Sequence, residues 1–456
     1  MARVAVVGGG VSGLSFAWFL TRLKPEWEVI ILEKEGRAGG KAWTMHEDGF
    51  VWERGVNGFL DNKPTTLRLA KGLGLAPLKS NDASRKRFVV KDNRLEGLPE
   101  SPGAFLRSRL LSPLGKARLL LEPFIPKGGP DIDESLAGFA KRRLGKEAFK
   151  YLIDPMATGI YAGDPRRLSL KACFPRIHEL EDTYGSLIRA MIALKKEAKK
   201  KGKNGPGAGP GGTLTSFGRG MGELIDALHA GLEGTVRLNT SVMSVIRQKD
   251  GFSVLTEGGG EINASHVVMA CPARAAAGIL SEGFPSVAEA ASSIQYPPVG
   301  IVALGIKEGS IGRPIDGFGF LCPASEKRKI LGALWDSSIF PQRAPKGYAL
   351  VRALIGGARA PELSALPDAA ILKFVLDELS GLMGLKARPD FVRIFRWSEA
   401  IPQYNVGHCG LIKKATAALE NTRLYLRCNW VGGISLNDCV ANSEALAWKI
   451  SSQGNE

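Results

Sequence analysis

The sequence predicts an α/β protein of several domains, one of which is assembled from both ends of the chain. Three observations support this prediction. With 456 residues, the chain is too long for one ordinary core. A β-branched run at residues 3–7 leads into a glycine-rich turn and then an apolar helical segment. Near the carboxyl terminus, residues 423–450 again show a strand, a glycine turn and a helix in that order.

The overall composition is that of a globular protein. Apolar residues make up 44% of the chain and charged residues 23%, which excludes a disordered, collagen-like or coiled-coil chain. The 61 lysines and arginines exceed the 45 acidic residues, giving a formal net charge of +16. This excess favours anionic ligands but does not distinguish a phosphate from a carboxylate or a lipid headgroup.

Cysteine usage and hydropathy predict a cytoplasmic protein. The six cysteines are scattered without a C-x-x-C pair, so we expect reduced thiols and no zinc site. No apolar run approaches the roughly 18 residues of a membrane span. The protein is therefore predicted to be cytoplasmic, either free or peripheral on the cytoplasmic face of the membrane. No nucleic-acid partner is expected.

The amino-terminal glycine turn predicts a phosphate-binding site. In the pattern G-x-G-x-x-G, Gly8 allows a tight turn, Gly10 lets a pyrophosphate approach the backbone, and Gly13 lets the helix pack on the strand. The start of that helix offers unpaired N–H groups and a partial positive charge to an anion. The candidate contacts are Gly8, Gly9, Gly10, Val11, Ser12 and Gly13.

The run VIILE places an acid where a dinucleotide ribose is expected. Glu33 follows Gly13 by 20 residues, at the end of a predicted second strand. Its carboxylate would accept hydrogen bonds from ribose hydroxyls, and an acid here argues against a 2′-phosphate. The order of strand, glycines, helix, second strand and acid predicts a Rossmann-like dinucleotide-binding domain.

The stretch after Glu33 resembles the ExxxRxGG extension of the flavin-dependent amine oxidase and phytoene desaturase superfamily. The resemblance implies FAD rather than NAD. It also implies a discontinuous Rossmann-like FAD-binding domain of the GR2 type, like that of p-hydroxybenzoate hydroxylase, with a mixed-sheet substrate domain and a helical insertion. The cofactor contacts implied here are Glu33, Lys34, Arg37, Gly40 and Lys41.

Further cofactor contacts are implied by similarity in distant segments. The segment FVWERGVNGFL is similar to the loop that passes the flavin, and Val242 to a residue that meets the adenine through its backbone. Trp397 would lie close to the flavin. At the carboxyl terminus, amide N–H groups of residues 434–436 would face the pyrimidine ring. Cys428 stands where glycine is expected, which makes Asn429 a less secure contact. The implied contacts are Gly55, Val56, Asn57, Gly58, Val242, Trp397, Asn429, Ile434, Ser435 and Leu436.

Within this superfamily, several strings resemble the protoporphyrinogen oxidase family. They include YLIDPMATGIYAGDPRRLSL at 151–170, DGFGFLCP at 316–323, LGALWDSSIFPQRAP at 331–345 and RIFRWSEAIPQYNVGH at 393–408. The resemblance implies oxidation of protoporphyrinogen IX to protoporphyrin IX in three flavin cycles. Each cycle would move a hydride to the flavin, and dioxygen would reoxidise it, yielding hydrogen peroxide. No protein nucleophile and no metal are implied.

Three other functions remain open at this point. Oxidation of coproporphyrinogen III, which has four carboxylates, would need additional cations near the second pair of propionates. A flavin amine oxidase would be expected to show a flavin-side lysine and an aromatic cage, which the strings do not supply. The third is a carrier that binds flavin or porphyrin without catalysis.

The resemblance also implies how a tetrapyrrole would be held. Such a flat substrate with propionates needs apolar walls and a cationic clamp. Arg87 would pair with a propionate, although its place beside Arg85 and Lys86 is equally typical of a solvated basic surface. Leu321 and Leu334 would enclose a pyrrole ring, and Leu354 stands where the family can carry an aromatic residue. Gly159 would leave room for the macrocycle.

These expectations divide the chain into four parts. Segments 1–80, 213–275 and 395–456 are predicted to form the FAD-binding domain, and 81–100 with 276–394 the substrate-binding domain. Residues 101–200 are predicted to be helical, with mixed Leu and Arg faces that suit either a membrane surface or an ordinary packed helix. Residues 195–212 read as a flexible loop rich in Lys, Gly and Pro. The expected partners are a tetrapyrrole and dioxygen, with peripheral membrane contact and a homodimer left open.

Overall fold

The structure, a computed structural model, describes residues 2–129, 132–200 and 212–453. Most of the loop predicted at 195–212 lies outside these residues. The strands, in chain order, are β1 (Arg3–Val7), β2 (Glu28–Leu32), β3 (Thr44–Glu47), β4 (Phe50–Glu53), β5 (Phe59–Leu60), β6 (Leu78–Lys79), β7 (Arg87–Lys91), β8 (Arg94–Gly97), β9 (Leu214–Ser216), β10 (Val236–Arg237), β11 (Val242–Gln248), β12 (Gly251–Thr256), β13 (Glu261–Ala264), β14 (His266–Met269), β15 (Val299–Lys307), β16 (Gly319–Leu321), β17 (Ile330–Trp335), β18 (Tyr348–Gly356), β19 (Phe391–Trp397) and β20 (Leu424–Leu426).

The helices connect these strands and form a separate helical region in the first half of the chain. In chain order they are α1 (Val11–Leu23), α2 (Pro64–Gly72), α3 (Pro102–Arg107), α4 (Pro113–Leu120), α5 (Leu136–Arg143), α6 (Lys146–Ala148), α7 (Asp154–Tyr161), α8 (Leu170–Cys173), α9 (Pro175–Tyr184), α10 (Leu187–Lys200), α11 (Gly222–Ala230), α12 (Ala273–Leu280), α13 (Pro285–Ser292), α14 (Asp336–Ile339), α15 (Asp368–Met383), α16 (His408–Ala417) and α17 (Leu436–Gln453).

The predicted discontinuous domain is built on a five-stranded parallel sheet in the order β10-β2-β1-β14-β20. Its strands come from the start, the middle and the end of the chain. The helix after the first strand, α1, packs along the carboxyl-terminal helix α17, and Ser443 donates a hydrogen bond to the Ser12 carbonyl at 2.9 Å. Both ends of the chain therefore close on each other, as the sequence predicts.

The second domain is a mixed seven-stranded sheet in the order β19-β15-β18-β17-β16-β7-β8. Neighbouring strands are antiparallel except for β16 and β7, which are parallel. One face of this sheet packs on α15, where Phe320, Ala333 and Ala353 enter a buried apolar cluster with Phe374. Side chains alternate along a strand, so the residues between these three point to the opposite face.

Eight helices, α3–α10, form the predicted helical insertion. Ser135 caps α5 by accepting a hydrogen bond from the Gly138 amide at 3.1 Å, as its position before the apolar run predicts. A fully buried Arg143 donates to the Glu181 carboxylate at 2.9 Å and lies 3.2 Å from the carboxylate of Glu122, which is also fully buried. Because Glu122 also accepts from the Leu187 amide at 3.0 Å, this network ties three segments of the insertion together.

Two predicted domain boundaries fall inside secondary-structure elements. The boundary at 395 cuts β19, whose ladder with β15 continues to the pair Trp397 and Val299. The boundary at 275 cuts α12, and this helix and α13 pack in the apolar cluster of the parallel sheet rather than against the seven-stranded one. The cause is physical: residues 273–292 carry small apolar side chains that cover the parallel sheet, and composition alone does not show which sheet they cover.

Candidate cofactor and substrate site

The glycine turn after β1 is fixed by close backbone contacts. Gly8 has a φ of +110°, and its amide donates to the Leu32 carbonyl at 2.8 Å. A Cβ on Gly13 would lie 2.1 Å from the Gly8 carbonyl oxygen, so only glycine allows α1 to start this close to the turn. The N-cap of α1 is Gly10, which has no side chain, and the first turn of α1 contains no acidic residue. Its N–H groups are available to an anion.

The predicted ribose acid is held by backbone amides. Glu33 is 8% exposed, and its two carboxylate oxygens accept from the Gly9 amide at 2.7 Å and the Glu35 amide at 3.0 Å. The Gly9 amide is therefore used to orient the acid rather than to bind a phosphate. Each carboxylate oxygen keeps a second acceptor position for a ribose hydroxyl. Lys34, by contrast, is exposed and lies 3.4 Å from Glu35.

The second glycine pair lies directly over the first. The Gly39 amide donates to the Gly9 carbonyl at 2.8 Å, and a Cβ on Gly10 would meet nothing closer than the Gly40 Cα at 4.0 Å. Arg37 donates to the Gly40 carbonyl at 2.6 Å and stacks on the Trp43 ring at 3.6 Å, and burial lowers its pKa. The two glycine turns are therefore packed backbone against backbone at the start of α1.

Lys41, the residue after Gly40, is a second cationic group beside the glycine turns. Its amine donates to the Ala400 carbonyl and lies 5.0 Å from the centre of the Tyr296 ring. Burial lowers the pKa of Lys41 to about 8, an effect that the Glu399 carboxylate partly opposes. Lys41 therefore changes charge within the range of pH in which enzymes are studied.

The segment predicted to pass the flavin is pressed against neighbouring backbone. A Cβ on Gly55 would lie 1.9 Å from the Lys41 carbonyl oxygen, and one on Gly58 2.5 Å from that of Thr215, so both positions require glycine. Between them, Val56 packs on the core of the parallel sheet and Asn57 is half-buried.

Trp397, on β19, lies against the start of the same segment. Its Nε1 donates to the Arg54 carbonyl, and its ring meets Trp43 and Phe395 edge to face, with ring centres 6.4 and 5.0 Å away. The indole therefore fixes the backbone that leads into the predicted flavin-passing segment.

A buried ion pair that the sequence analysis missed holds the same segment. Arg352 and Asp336 have side chains only 1–2% exposed and are joined at 2.8 Å. Arg352 also donates to the carbonyls of Glu53 at 2.6 Å and Gly55 at 3.2 Å, and Asp336 accepts from Asn57 at 3.2 Å. The available signal was an arginine in the middle of an otherwise apolar strand, YALVRALIG, where a charge must have a partner.

The predicted adenine contact lies beside the ribose acid. The Thr240 amide donates to the Glu33 carbonyl at 2.8 Å, and the Asn239 amide donates to that of Glu35 at 3.1 Å. Val242, two residues on, is buried at the start of β11. The backbone at Val242 is therefore placed near the end of β2, where the adenosine half of a dinucleotide would lie.

The carboxyl-terminal turn differs from expectation at Ser435. This residue caps α17: its hydroxyl accepts from the Asp438 amide at 3.1 Å, and the Asp438 carboxylate accepts the Ser435 amide at 3.3 Å. The Ser435 amide is thus not free. Leu436 begins α17 and is buried, and Ile434 packs on the helical insertion, whose cluster includes Tyr404. The Asn429 carbonyl accepts from the Tyr404 hydroxyl at 2.7 Å.

Cys428, which stands where glycine is expected, packs as a small apolar group. It is 2% exposed and belongs to the same cluster as Trp430. All six cysteines are free. In the described ranges, no cluster of three or more His, Cys, Asp or Glu residues is placed to hold a metal ion.

The predicted substrate residues meet on the face of the seven-stranded sheet that α15 leaves open. Arg87 pairs with Gly319, two residues before Leu321 on the same strand. Leu334 pairs with Gly319 from the other side, and Leu354 pairs with Gly332. By the alternation of side chains, Arg87 and the three leucines point to one face. The leucines are each partly exposed, and Leu354 packs on the cluster that contains Phe50 and Trp52, next to the flavin-passing segment.

Gly159 closes this face from the helical insertion. A Cβ there would lie 3.0 Å from Leu321, so any larger residue would reach into the space over the sheet. Asp154, one turn earlier on α7, pairs with Arg359 and accepts from the Ala324 amide at 2.8 Å. Burial raises the Asp154 pKa, and the Arg359 charge opposes that rise. This pair fixes α7 against the sheet and so sets the position of Gly159.

Arg87 differs from its basic neighbours. Arg85 pairs with Asp82 at 2.9 Å and Lys86 with Asp316 at 2.5 Å. Arg87 is exposed and lies 5.1 Å from the Phe318 ring centre, and within the described parts of the chain it has no ion pair. Its guanidinium therefore remains available to a carboxylate from outside.

His408 lies behind the carboxyl-terminal turn. It is buried and stacks on Tyr404 with ring centres 4.0 Å apart. Burial lowers its pKa to about 4, so the imidazole is neutral at physiological pH. This placement suits a packing role.

Comparisons with known proteins agree with this geometry. The family described as flavin containing amine oxidoreductase matches residues 11–426. Coproporphyrinogen III oxidase of Bacillus subtilis is 31% identical over 97% of this chain and 96% of its own length. Chloroplastic protoporphyrinogen oxidase of Nicotiana tabacum is 34% identical over 98% of this chain and 84% of its own. The structure of cyclohexylamine oxidase from Brevibacterium oxydans shares the fold, with a TM-score of 0.75, 15% identity and full coverage of both chains.

The flavin cofactor FAD fits the residues described here. The unpaired amides at the start of α1 suit its pyrophosphate, and the oriented Glu33 carboxylate suits its ribose. The chain belongs to the family of flavin containing amine oxidoreductases and is an FAD-dependent oxidoreductase.

Proposed function

We propose that this protein oxidises protoporphyrinogen IX to protoporphyrin IX in porphyrin biosynthesis. The observation that carries the proposal is the sheet face on which an unpaired arginine and three leucines converge beside the flavin-passing segment. Two of the relatives most similar to the chain act, by name, on porphyrinogens. An apolar slot with one cationic end suits a flat macrocycle with propionates on one edge.

Each group in the slot has a separate task. Leu321, Leu334 and Leu354 offer apolar contact to the macrocycle and exclude water from the reacting carbon. Arg87 would bind a propionate through its planar guanidinium and so orient the ring. Gly159 leaves the space that the macrocycle would fill. Together these residues would hold one bridge carbon about 3–3.5 Å from the reactive flavin atom.

The redox chemistry belongs to the cofactor. When bound, FAD would supply the hydride acceptor, with dioxygen as the final oxidant and hydrogen peroxide as its product, so that three turnovers would remove six electrons. The residues of the chain position and desolvate the substrate. Arg352 and Asp336 would fix the position of residues 53–57 relative to the bound substrate. This position matters because a displacement of about one ångström can slow a reaction by about 100-fold.

Coproporphyrinogen III is the second candidate substrate. The relative from Bacillus subtilis that carries this name is matched over almost its whole length. Its two further propionates would need cations beyond Arg87. Of the two arginines identified on the slot face, Arg352 is already neutralised by Asp336, which favours the substrate with fewer carboxylates.

We predict that the purified protein binds FAD and converts protoporphyrinogen IX to its fluorescent porphyrin faster than the spontaneous reaction in air. The measurement is the initial rate of porphyrin fluorescence on protoporphyrinogen IX and on coproporphyrinogen III under the same conditions. A higher kcat/KM on coproporphyrinogen III would replace the substrate proposed here. Rates equal to the enzyme-free control on both substrates, with FAD bound, would indicate a carrier.

We predict that Arg87→Ala raises KM by about tenfold, with a smaller fall in kcat. A remote anchor contributes similar binding energy to the substrate and to the transition state, and a hydrogen bond to a charged group is worth about 1.5–3 kcal/mol. The matched control is Arg85→Ala, because Arg85 already pairs with Asp82 at the surface. An unchanged KM for Arg87→Ala would remove this residue from the site.

We predict that FAD binding weakens by about tenfold as pH rises through about 8. The Lys41 amine, with its pKa lowered to about 8, is charged below that pH and attracts the cofactor phosphates, and it loses this charge above it. The measurement is the FAD dissociation constant of the apoprotein between pH 6.5 and 9.5. Lys41→Met should bind weakly at all these values, whereas the exposed control Lys34→Met should keep the dependence. A pH dependence that survives in Lys41→Met would refute the assignment.

We also propose that the helical insertion contacts an anionic membrane surface. Helices α3 and α4 and the loops around them carry large apolar side chains that are more than half exposed, next to exposed Arg107, Arg109 and Lys127. In the part of the chain that the structure describes, no helix combines the length and apolar character needed to cross a bilayer. Contact at the membrane surface suits an apolar substrate. The exposed apolar residues are Leu106, Leu114, Leu120, Leu121, Phe124 and Ile132.

We predict that the protein sediments with vesicles containing phosphatidylglycerol and that the double substitution Leu114→Asp with Phe124→Asp abolishes this. These side chains are 83% and 77% exposed, so their replacement should leave the fold intact while adding charges that a bilayer rejects. Trp448→Asp, at an exposed apolar position on α17, is the control and should still bind. Equal binding by the double variant and the wild type would contradict the proposed surface.

A further inference from the structure

Side chains from neighbouring segments hold the turn that follows β20. Its residues, 428–433, join β20 to the start of α17 and form the carboxyl-terminal part of the cofactor site. The Tyr404 hydroxyl donates to the Asn429 carbonyl at 2.7 Å and accepts the Gly433 amide at 3.0 Å. The Asn442 side chain donates to the Gly432 carbonyl at 2.9 Å. The backbone of the turn is therefore not positioned by its own hydrogen bonds alone.

Arg427 supplies the remaining contacts, and it is an unusual residue for this place. Its side chain is 6% exposed, and its guanidinium donates to the carbonyls of Val431 at 2.9 Å and Cys428 at 3.2 Å. Its Nε is buried without a hydrogen-bond partner. No carboxylate within the described residues pairs with it. Arg427 thus differs from the buried Arg143, Arg343 and Arg352, each of which faces a carboxylate.

A buried cation without a counter-ion is costly. Removing a charge from water is offset only by good hydrogen bonds and a nearby opposite charge. Arg427 donates hydrogen bonds to two backbone carbonyls, but among the described residues it has no carboxylate partner. The backbone of Arg427 is tied to the parallel sheet through the Met269 carbonyl at 2.8 Å, and a Cβ on Gly8 would lie 3.0 Å from Ala270. Arg427 follows β20 and so lies at the carboxyl edge of the parallel sheet, the edge at which folds of this type bind dinucleotides.

We propose that Arg427 is a positioning residue for the cofactor. It holds the turn by two carbonyls, and it places an uncompensated positive charge behind the turn, which makes bound FAD easier to reduce. Because its guanidinium faces carbonyls of the turn, Arg427 acts through the turn and not as a direct contact. The proposal concerns FAD binding itself and does not depend on which substrate is oxidised.

The two roles are separable by substitution. Arg427→Gln removes the charge, and Arg427→Lys keeps a charge but cannot hold two carbonyls as a planar guanidinium does. Tyr404→Phe removes two hydrogen bonds to the same turn without changing any charge. The matched control is Arg423→Gln, which removes an exposed charge at the opposite end of the same strand.

The experiment measures two properties of each variant: the FAD dissociation constant of the apoprotein and the midpoint potential of the bound flavin. All three test variants should bind FAD at least about tenfold more weakly, because each removes hydrogen bonds from the turn. The midpoint potential should fall in Arg427→Gln and stay near the wild-type value in Arg427→Lys and Tyr404→Phe. The control should match the wild type in both.

Several results would overturn the proposal. One is a wild-type dissociation constant in both Arg427→Lys and Tyr404→Phe, which would show that the turn does not need these contacts. Another is an unchanged potential in Arg427→Gln, or a potential that falls equally in Tyr404→Phe, which would show that the charge has no effect of its own. If Arg427→Gln does not fold, as judged by circular dichroism of the apoprotein, the other two variants still test the turn-holding role.

Discussion

The arrangement of the site depends on the buried ion pair between Arg352 and Asp336. Arg352 lies in the middle of the seven-stranded sheet, yet its guanidinium donates to carbonyls of Glu53 and Gly55, almost 300 positions earlier in the chain. A buried guanidinium with one carboxylate and two carbonyls is well satisfied, and removing one partner of such a pair costs about 3–5 kcal/mol. Since Asp336 also holds Asn57, the pair fixes the flavin-passing segment over the face that carries the leucines.

A second buried pair supports the same segment from the other side. Glu53 and Arg343 are each 1% exposed and lie 3.0 Å apart, and the Glu53 carboxylate also accepts from the Met221 amide at 2.8 Å. The Glu53 backbone carbonyl thus accepts a hydrogen bond from Arg352, and its carboxylate pairs with Arg343. Two buried ion pairs therefore hold this segment.

The sequence predicted the parts of the site that depend on local geometry. Gly8 and Gly13 are recognisable because they belong to a six-residue glycine pattern between a strand and a helix, and Glu33 because its distance from them is set by one helix and one strand. The discontinuous domain was also predictable, since both chain ends carry the same kind of turn. The five substrate residues were named from resemblance, and the structure brings them together on one face. Whether they bind a porphyrinogen remains a prediction.

The parts that the sequence did not predict depend on contacts between distant residues. Nothing local to Arg352 or Asp336 shows that they meet each other and Glu53. The capping of α17 by Ser435 and Asp438 follows a local S-x-x-D pattern and could have been predicted. The predicted domain boundaries at 275 and 395 fall inside α12 and β19 for another reason. Packing decides which sheet each of these elements joins, and a hydrophobic pattern alone does not identify that sheet.

Arg427 shows how such a departure from the family pattern is accommodated. Glycine is expected at the neighbouring position, where Cys428 stands. The extra volume of Cys428 is absorbed by the apolar cluster around Trp430. The guanidinium of Arg427 turns back under residues 428–431, where carbonyls without other side-chain donors are available. The backbone of the turn can then keep its place although Arg427 is large and Cys428 is larger than glycine. What the substitution adds is a positive charge, which no described carboxylate neutralises. That charge is the one feature of the turn that packing does not require.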